Sequence, residues 1–142
     1  MSADRFEETK NELLLEVLKK FGRARTRVGG NSMLPTLRVG DTLSVEAARA
    51  ADVFPGDIIL CFQGGRFYTH RLVNRHGTSL ITRGDANARI DSPVAADECV
   101  GRVASAERDG KPVALHYRPI LSALLRYSAV TRRIYYWSRV RR

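Results

Sequence analysis

The sequence predicts a mainly β fold flanked by an N-terminal and a C-terminal helix. Between Val28 and about Ala106 the chain reads as short β-branched and apolar runs separated by Gly, Pro, Asn and Asp. Before that region, apolar residues recur close to the 3.6-residue period of a helix. After it, Pro119 is placed to open a second helix, because its fixed φ suits a first helical turn. A chain of 142 residues suits one domain with appendages. The expected divisions are residues 1–27, an amphipathic helix and basic linker; 28–117, the β-rich body; and 118–142, a basic helix.

In chain order, the first helix is expected over Asp4–Phe21, with Ser2 or Asp4 as its cap. Its apolar stripe is Phe6, Leu13, Leu14, Val17, Leu18 and Phe21, with Leu15 off it, and Gly22 supplies the stop. Arg23, Arg25 and Arg27 read as a linker. Strands are expected at Thr42–Val45, Asp57–Phe62, Phe67–Val73, Leu80–Thr82 and Val100–Ala104, with a last one at Val113–Tyr117. Turns are expected at Gln63–Arg66, Asn74–Gly77 and Arg108–Lys111. The final helix runs from Pro119 to about Ser138.

The formal charge of +9 is a property of the ends. Residues 32–117 carry ten basic and ten acidic side chains, whereas 118–142 hold seven arginines and no acid. That distribution gives no specific nucleic-acid footprint. A basic helix rich in Tyr and Trp can instead make peripheral contact with an anionic membrane, or pack its apolar side on the body. The N-terminus lacks the continuous apolar run of a secretion signal, and no stretch approaches the roughly 20 apolar residues that cross a bilayer. The expectation is a cytoplasmic protein, at most peripheral at a membrane surface. Cys61 and Cys99 show no metal-ligand spacing and read as reduced thiols; no cofactor or metal is implied.

Three segments carry residues suited to chemistry. In Gly30-Asn31-Ser32-Met33-Leu34-Pro35-Thr36, glycine and proline bend the chain around a serine, which needs a base within hydrogen-bond reach to become a nucleophile. The strand Phe67–Val73 carries His70, an imidazole suited to general-base work near neutrality. His76 and His116 carry no comparable context. The loop Thr82–Asp91 holds Asp85 and Asp91; each can cap its own loop, and either can orient a histidine.

Together these motifs resemble the type I signal peptidases. The likeness runs through Ser32–Thr36 with Gly40-Asp41, Gly56–Ile59, His70-Arg71, Thr82–Asp91 and Val100–Val103, in that order, and spans roughly Val28 to Ala106. The family has a Ser-Lys branch and a Ser-His branch, and His70 places this chain with the second. The resemblance implies a signal-peptidase-like β fold, Ser32 as nucleophile, His70 as general base and Asp91 as orienting acid. It further implies supporting roles for Asn31 and Met33 beside the oxyanion and for Asp85 in the loop. Many members carry a serine two positions before the nucleophile; here that position is Gly30, so the oxyanion would rest on backbone N–H groups such as that of Ser32, or on the Asn31 side chain. The family's membrane anchor has no counterpart in this sequence.

The expected activity is therefore cleavage of a leader or signal-like segment from a peptide or protein substrate, by acyl-enzyme chemistry. A catalytically inactive peptide-binding module of the same fold is the alternative, followed by a self-cleaving repressor-type relative. The latter needs a helix-turn-helix headpiece, for which the N-terminal region offers only one helix.

Overall fold

The computed structural model describes residues 3–127. The body is an antiparallel seven-stranded sheet with a helix at each end. Helix α1 spans Ala3–Phe21, followed by strands β1 (Arg23–Arg27), β2 (Thr42–Ala47), β3 (Ile58–Gln63), β4 (Arg66–His76), β5 (Ser79–Arg83), β6 (Cys99–Arg108) and β7 (Lys111–Val113), then helix α2 (Pro119–Tyr127). The strand order is β1-β2-β6-β3-β4-β5, with β7 paired to the end of β6.

β3 explains why two faces of the sheet are filled. Ile58 and Leu60 belong to one apolar cluster, with Leu18, Met33, Leu37, Leu43, Val45 and Val103. Ile59 and Cys61 belong to another, with Val53, Leu72, Leu80, Val94 and Cys99. Side chains alternate across a strand, so a continuous Ile-Ile-Leu-Cys run is what a strand covered on both sides requires.

Several elements differ from expectation for identifiable reasons. The basic Arg23–Arg27 segment is not a linker but the edge strand β1, paired antiparallel to β2 from Arg23↔Glu46 to Arg27↔Thr42. Its three arginines lie on the exposed side, and Ala24 and Thr26 face inward. Helix α1 is rotated relative to its expected stripe. Leu18 is buried and Leu14 and Leu15 are half-buried, while Phe6, Leu13 and Phe21 are 66%, 60% and 64% exposed. Asp4 sits inside its first turn rather than at a cap, and Ser2 lies outside the described residues. Gly22 ends the helix with φ 71° and donates its N–H to the Leu18 carbonyl.

The turn expected at Asn74–Gly77 comes later, at Gly77-Thr78, because β4 continues to His76 past a bulge between Leu72 and Asn74. The last strand is shorter and earlier than expected, at Lys111–Val113. Helix α2 opens at Pro119; its expected continuation to Ser138, and with it most of the membrane-contact segment, lies outside the described residues. Among the described residues, no helix is long and apolar enough to cross a membrane.

A candidate Ser-His-Asp site

Ser32 sits in a tight turn between β1 and β2, followed by the cis Leu34–Pro35 peptide. The turn is tied down at several points. Met33, Leu34 and Leu37 are buried, the Leu37 N–H donates to the Met33 carbonyl, and the Ser32 carbonyl accepts the Ala86 N–H at 2.9 Å. Gly84 lies so near that a Cβ there would stand 2.6 Å from the Ser32 oxygen. A side chain at position 84 is therefore incompatible with this approach of the two loops.

His70 projects from β4, opposite Ile59 of β3, and its ring meets both partners that the sequence offers. Nε2 lies 2.9 Å from Ser32 Oγ, and Nδ1 lies 2.5 Å from Asp91 Oδ2. The Tyr68 ring contacts the imidazole edge-on at 5.1 Å. Asp91 follows β5 and is fixed by two contacts with Thr82: its own N–H donates to the Thr82 carbonyl, and the Thr82 hydroxyl donates to Oδ2 at 2.6 Å. Burial alone would raise the Asp91 pKa, but hydrogen bonds from His70 and Thr82 outweigh it and hold the carboxyl below its ordinary value. An ionised Asp91 fixes the proton on Nδ1 and leaves Nε2 free to accept from Ser32.

Asp85 and Asp91, of which the resemblance implies Asp91 as the orienting acid and Asp85 as a loop support, are divided between the two neighbouring residues of β4. His70 meets Asp91, while Arg71 meets Asp85. The Arg71 guanidinium donates Nε to Asp85 Oδ1 and Nη2 to Oδ2, both at 2.8 Å, and also reaches the Gly56 and Leu115 carbonyls. The Thr36 hydroxyl donates to the same carboxylate at 2.6 Å. Arg71 and Asp85 are 8% and 1% exposed, so this bidentate pair is a buried tie between the Ser32 turn, β4 and the 84–91 loop. Arg71, Thr36 and Thr82 were not assigned roles from sequence, although all three lie within its recognised motifs; a buried guanidinium's partner is invisible until the loops are folded together.

Met33, expected beside the oxyanion, is 1% exposed and contributes its side chain to the core. Asn31 is half-buried, and its carbonyl accepts the Leu34 N–H. His76 and His116 are exposed. Cys61 and Cys99 face each other across β3 and β6 as buried free thiols. Burial pushes the Cys61 thiol up to about 12 and raises that of Cys99, which keeps both protonated and unreactive. Among the described residues, no group of three His, Cys, Asp or Glu side chains is arranged to hold a metal ion.

A cleft of about 270 Å³ opens beside Ser32, walled by Val28, Gly29 and Gly30 on one side, by Phe67 and Thr69 of β4 on the other, and by Leu14 of α1. β4 pairs with β3 along Arg66–Arg71, but with β5 only from Arg71 onward. Among the described residues, the backbone of Phe67–Thr69 therefore has no strand partner on its second edge. Comparison with protein-family models and with curated proteins finds no match.

Proposed function

We propose that this chain is a serine endopeptidase of the signal-peptidase-like, Ser-His kind, which removes a leader or signal-like segment from a peptide or protein substrate. The observation that carries the reading is the linear chain of contacts from Ser32 Oγ through the His70 imidazole to Asp91. It is supported by the cleft beside Ser32, where an extended peptide can add as a strand to the free edge of Phe67–Thr69.

In the proposed cycle His70 Nε2 takes the Oγ proton as Oγ bonds to the substrate carbonyl carbon. The imidazolium, stabilised by Asp91, then returns that proton to the departing amine as the C–N bond breaks. Water, deprotonated by the same nitrogen, then adds to the acyl carbon, the Oγ–C bond breaks and the proton passes from Nε2 to Ser32 Oγ, which restores the starting state. The Ser32 N–H has no hydrogen-bond acceptor among the described residues and is available to the developing oxyanion. Asp85, with Arg71, serves as a structural tie rather than an acid or base. The proposed setting is the cytoplasm.

Replacing Ser32 and His70 separately with alanine, and following candidate leader peptides by mass spectrometry, tests the proposal. Each variant is expected to lose turnover by at least about 10³-fold. Turnover retained in both would end it, and leader binding without turnover in the parent would favour the non-cleaving peptide-binding module.

A further inference from the structure

We infer that α2 is a positioning element for the nucleophile, with Leu125 and Arg126 as its positioning residues; the inference rests on the peptidase reading of Ser32. Leu125 is 1% exposed, and its apolar partners are Leu34 and Ala86, buried to 4% and 2% exposure. These are not general core positions. Leu34 lies two residues beyond Ser32 in the same turn, and Ala86 donates the N–H that holds the Ser32 carbonyl. One side chain of α2 thus packs against both pieces of backbone that set where Ser32 Oγ stands.

The neighbouring residue makes the polar half of the same dock. Arg126 Nε donates to the Asp85 carbonyl at 3.1 Å, and its Nη2 donates to the Tyr117 hydroxyl. The Tyr117 ring lies 5.6 Å from the Arg126 guanidinium and 5.5 Å from that of Arg71, whose Nη2 also reaches the Leu115 carbonyl. Residues 115–126 therefore hold the 84–86 loop through Arg126 on the Asp85 carbonyl and Leu125 on Ala86. Leu34, Ala86 and Leu125 form a cluster separate from the two sheet cores, so removing Leu125 loosens the Ser32 turn and the 84–86 loop before it disturbs the sheet.

The test uses the full-length chain and needs no known substrate. A fluorophosphonate probe gives the limiting rate and half-saturation of Ser32 labelling across pH, and amide exchange reports the Ala86 N–H. Leu125→Ala and, separately, Arg126→Ala are expected to speed Ala86 exchange with little change at sheet amides such as Leu60. They should lower the limiting labelling rate about tenfold or more with half-saturation and the pH midpoint unmoved, and Leu125→Met should restore most of the rate. Unchanged Ala86 exchange in both variants overturns the inference, as does faster exchange with parental labelling. A folded parent that is never labelled at Ser32 overturns the peptidase reading itself and this inference with it, an outcome distinct from labelled parent and equally labelled variants.

Discussion

Gly84→Ala is the sharpest perturbation of the site. A Cβ at Gly84 would meet the Ser32 carbonyl oxygen at 2.6 Å, Asn87 Nδ2 at 2.7 Å and Ser32 Cβ at 3.0 Å, whereas real Cβ atoms essentially never come closer than 3.0 Å. The Asn87 amide can swing aside; the Ser32 backbone cannot move without its side chain. Restoring a separation of 3.0–3.4 Å from 2.6 Å requires a shift of 0.4–0.8 Å, taken up between the loop and the Ser32 turn. Displacements approaching 1 Å cost catalytic geometry up to about 100-fold, so a 10- to 100-fold fall in the limiting rate of Ser32 acylation is expected. The accompanying overpacking costs about 1–3 kcal/mol.

Gly101→Ala is the matched control. A Cβ there would meet Val45 Cγ1 at 2.7 Å and the Glu46 carbonyl at 2.8 Å, an equally tight contact made in β2 and β6 rather than at the site. It should lower stability by a comparable amount, read from urea midpoints, and leave the acylation rate of the folded protein near that of the parent. Parental reactivity in Gly84→Ala, at a concentration of urea where both variants are folded, would refute the close approach as the device that sets Ser32.

Asp91→Asn should retain the fold and lose about 10²- to 10⁴-fold in rate, because a carboxamide no longer fixes the proton on Nδ1. In the parent, Asp91 is held below the ordinary carboxylate value, so its own protonation should leave the rate untouched down to the ordinary carboxylate range, and a loss of rate traced to Asp91 protonation above that range would contradict this. The stabilisation from Asp91 is present above its unfolded pKa and disappears as pH falls through the depressed folded value, so a further loss of stability, read by thermal melts, belongs at lower pH. Arg71→Ala leaves the 1%-exposed Asp85 carboxylate without its guanidinium and should cost about 3–5 kcal/mol in urea unfolding. A loss under about 1 kcal/mol would show the tie to be dispensable.

Strands whose apolar content announced itself were legible in advance. The run from Ile58 to Cys61 could be read as a strand because both of its faces needed apolar cover, and the Gly64-Gly65 and Asp109-Gly110 turns because their residues adopt positive φ. β1 was missed because its alternation, Arg-Ala-Arg-Thr-Arg, is basic and weakly apolar; it is held by pairing to β2, which no local pattern reports. The rotation of α1 was misjudged for a similar reason. Its sequence carries more apolar residues than one face can hold, and only the packing against the sheet chose Leu14, Leu15 and Leu18 over Phe6, Leu13 and Phe21.

The linear order of residues determined which groups could do chemistry: a glycine-flanked serine, one histidine in a strand and two acids in a loop. The resemblance implies Asp91 for the imidazole, but the residues alone leave either acid open, and the contacts themselves exist only in the fold. Ser32 and His70 are 38 residues apart, and His70 and Asp91 are separated by 21, so no periodicity links them. The bulged β4–β5 ladder and the buried Arg71–Asp85 pair bring them together, assigning one acid to the imidazole and the other to the scaffold. Side-chain identity is local information, whereas hydrogen bonds that join two loops through a strand exist only after the chain has spent its conformational entropy on bringing them together.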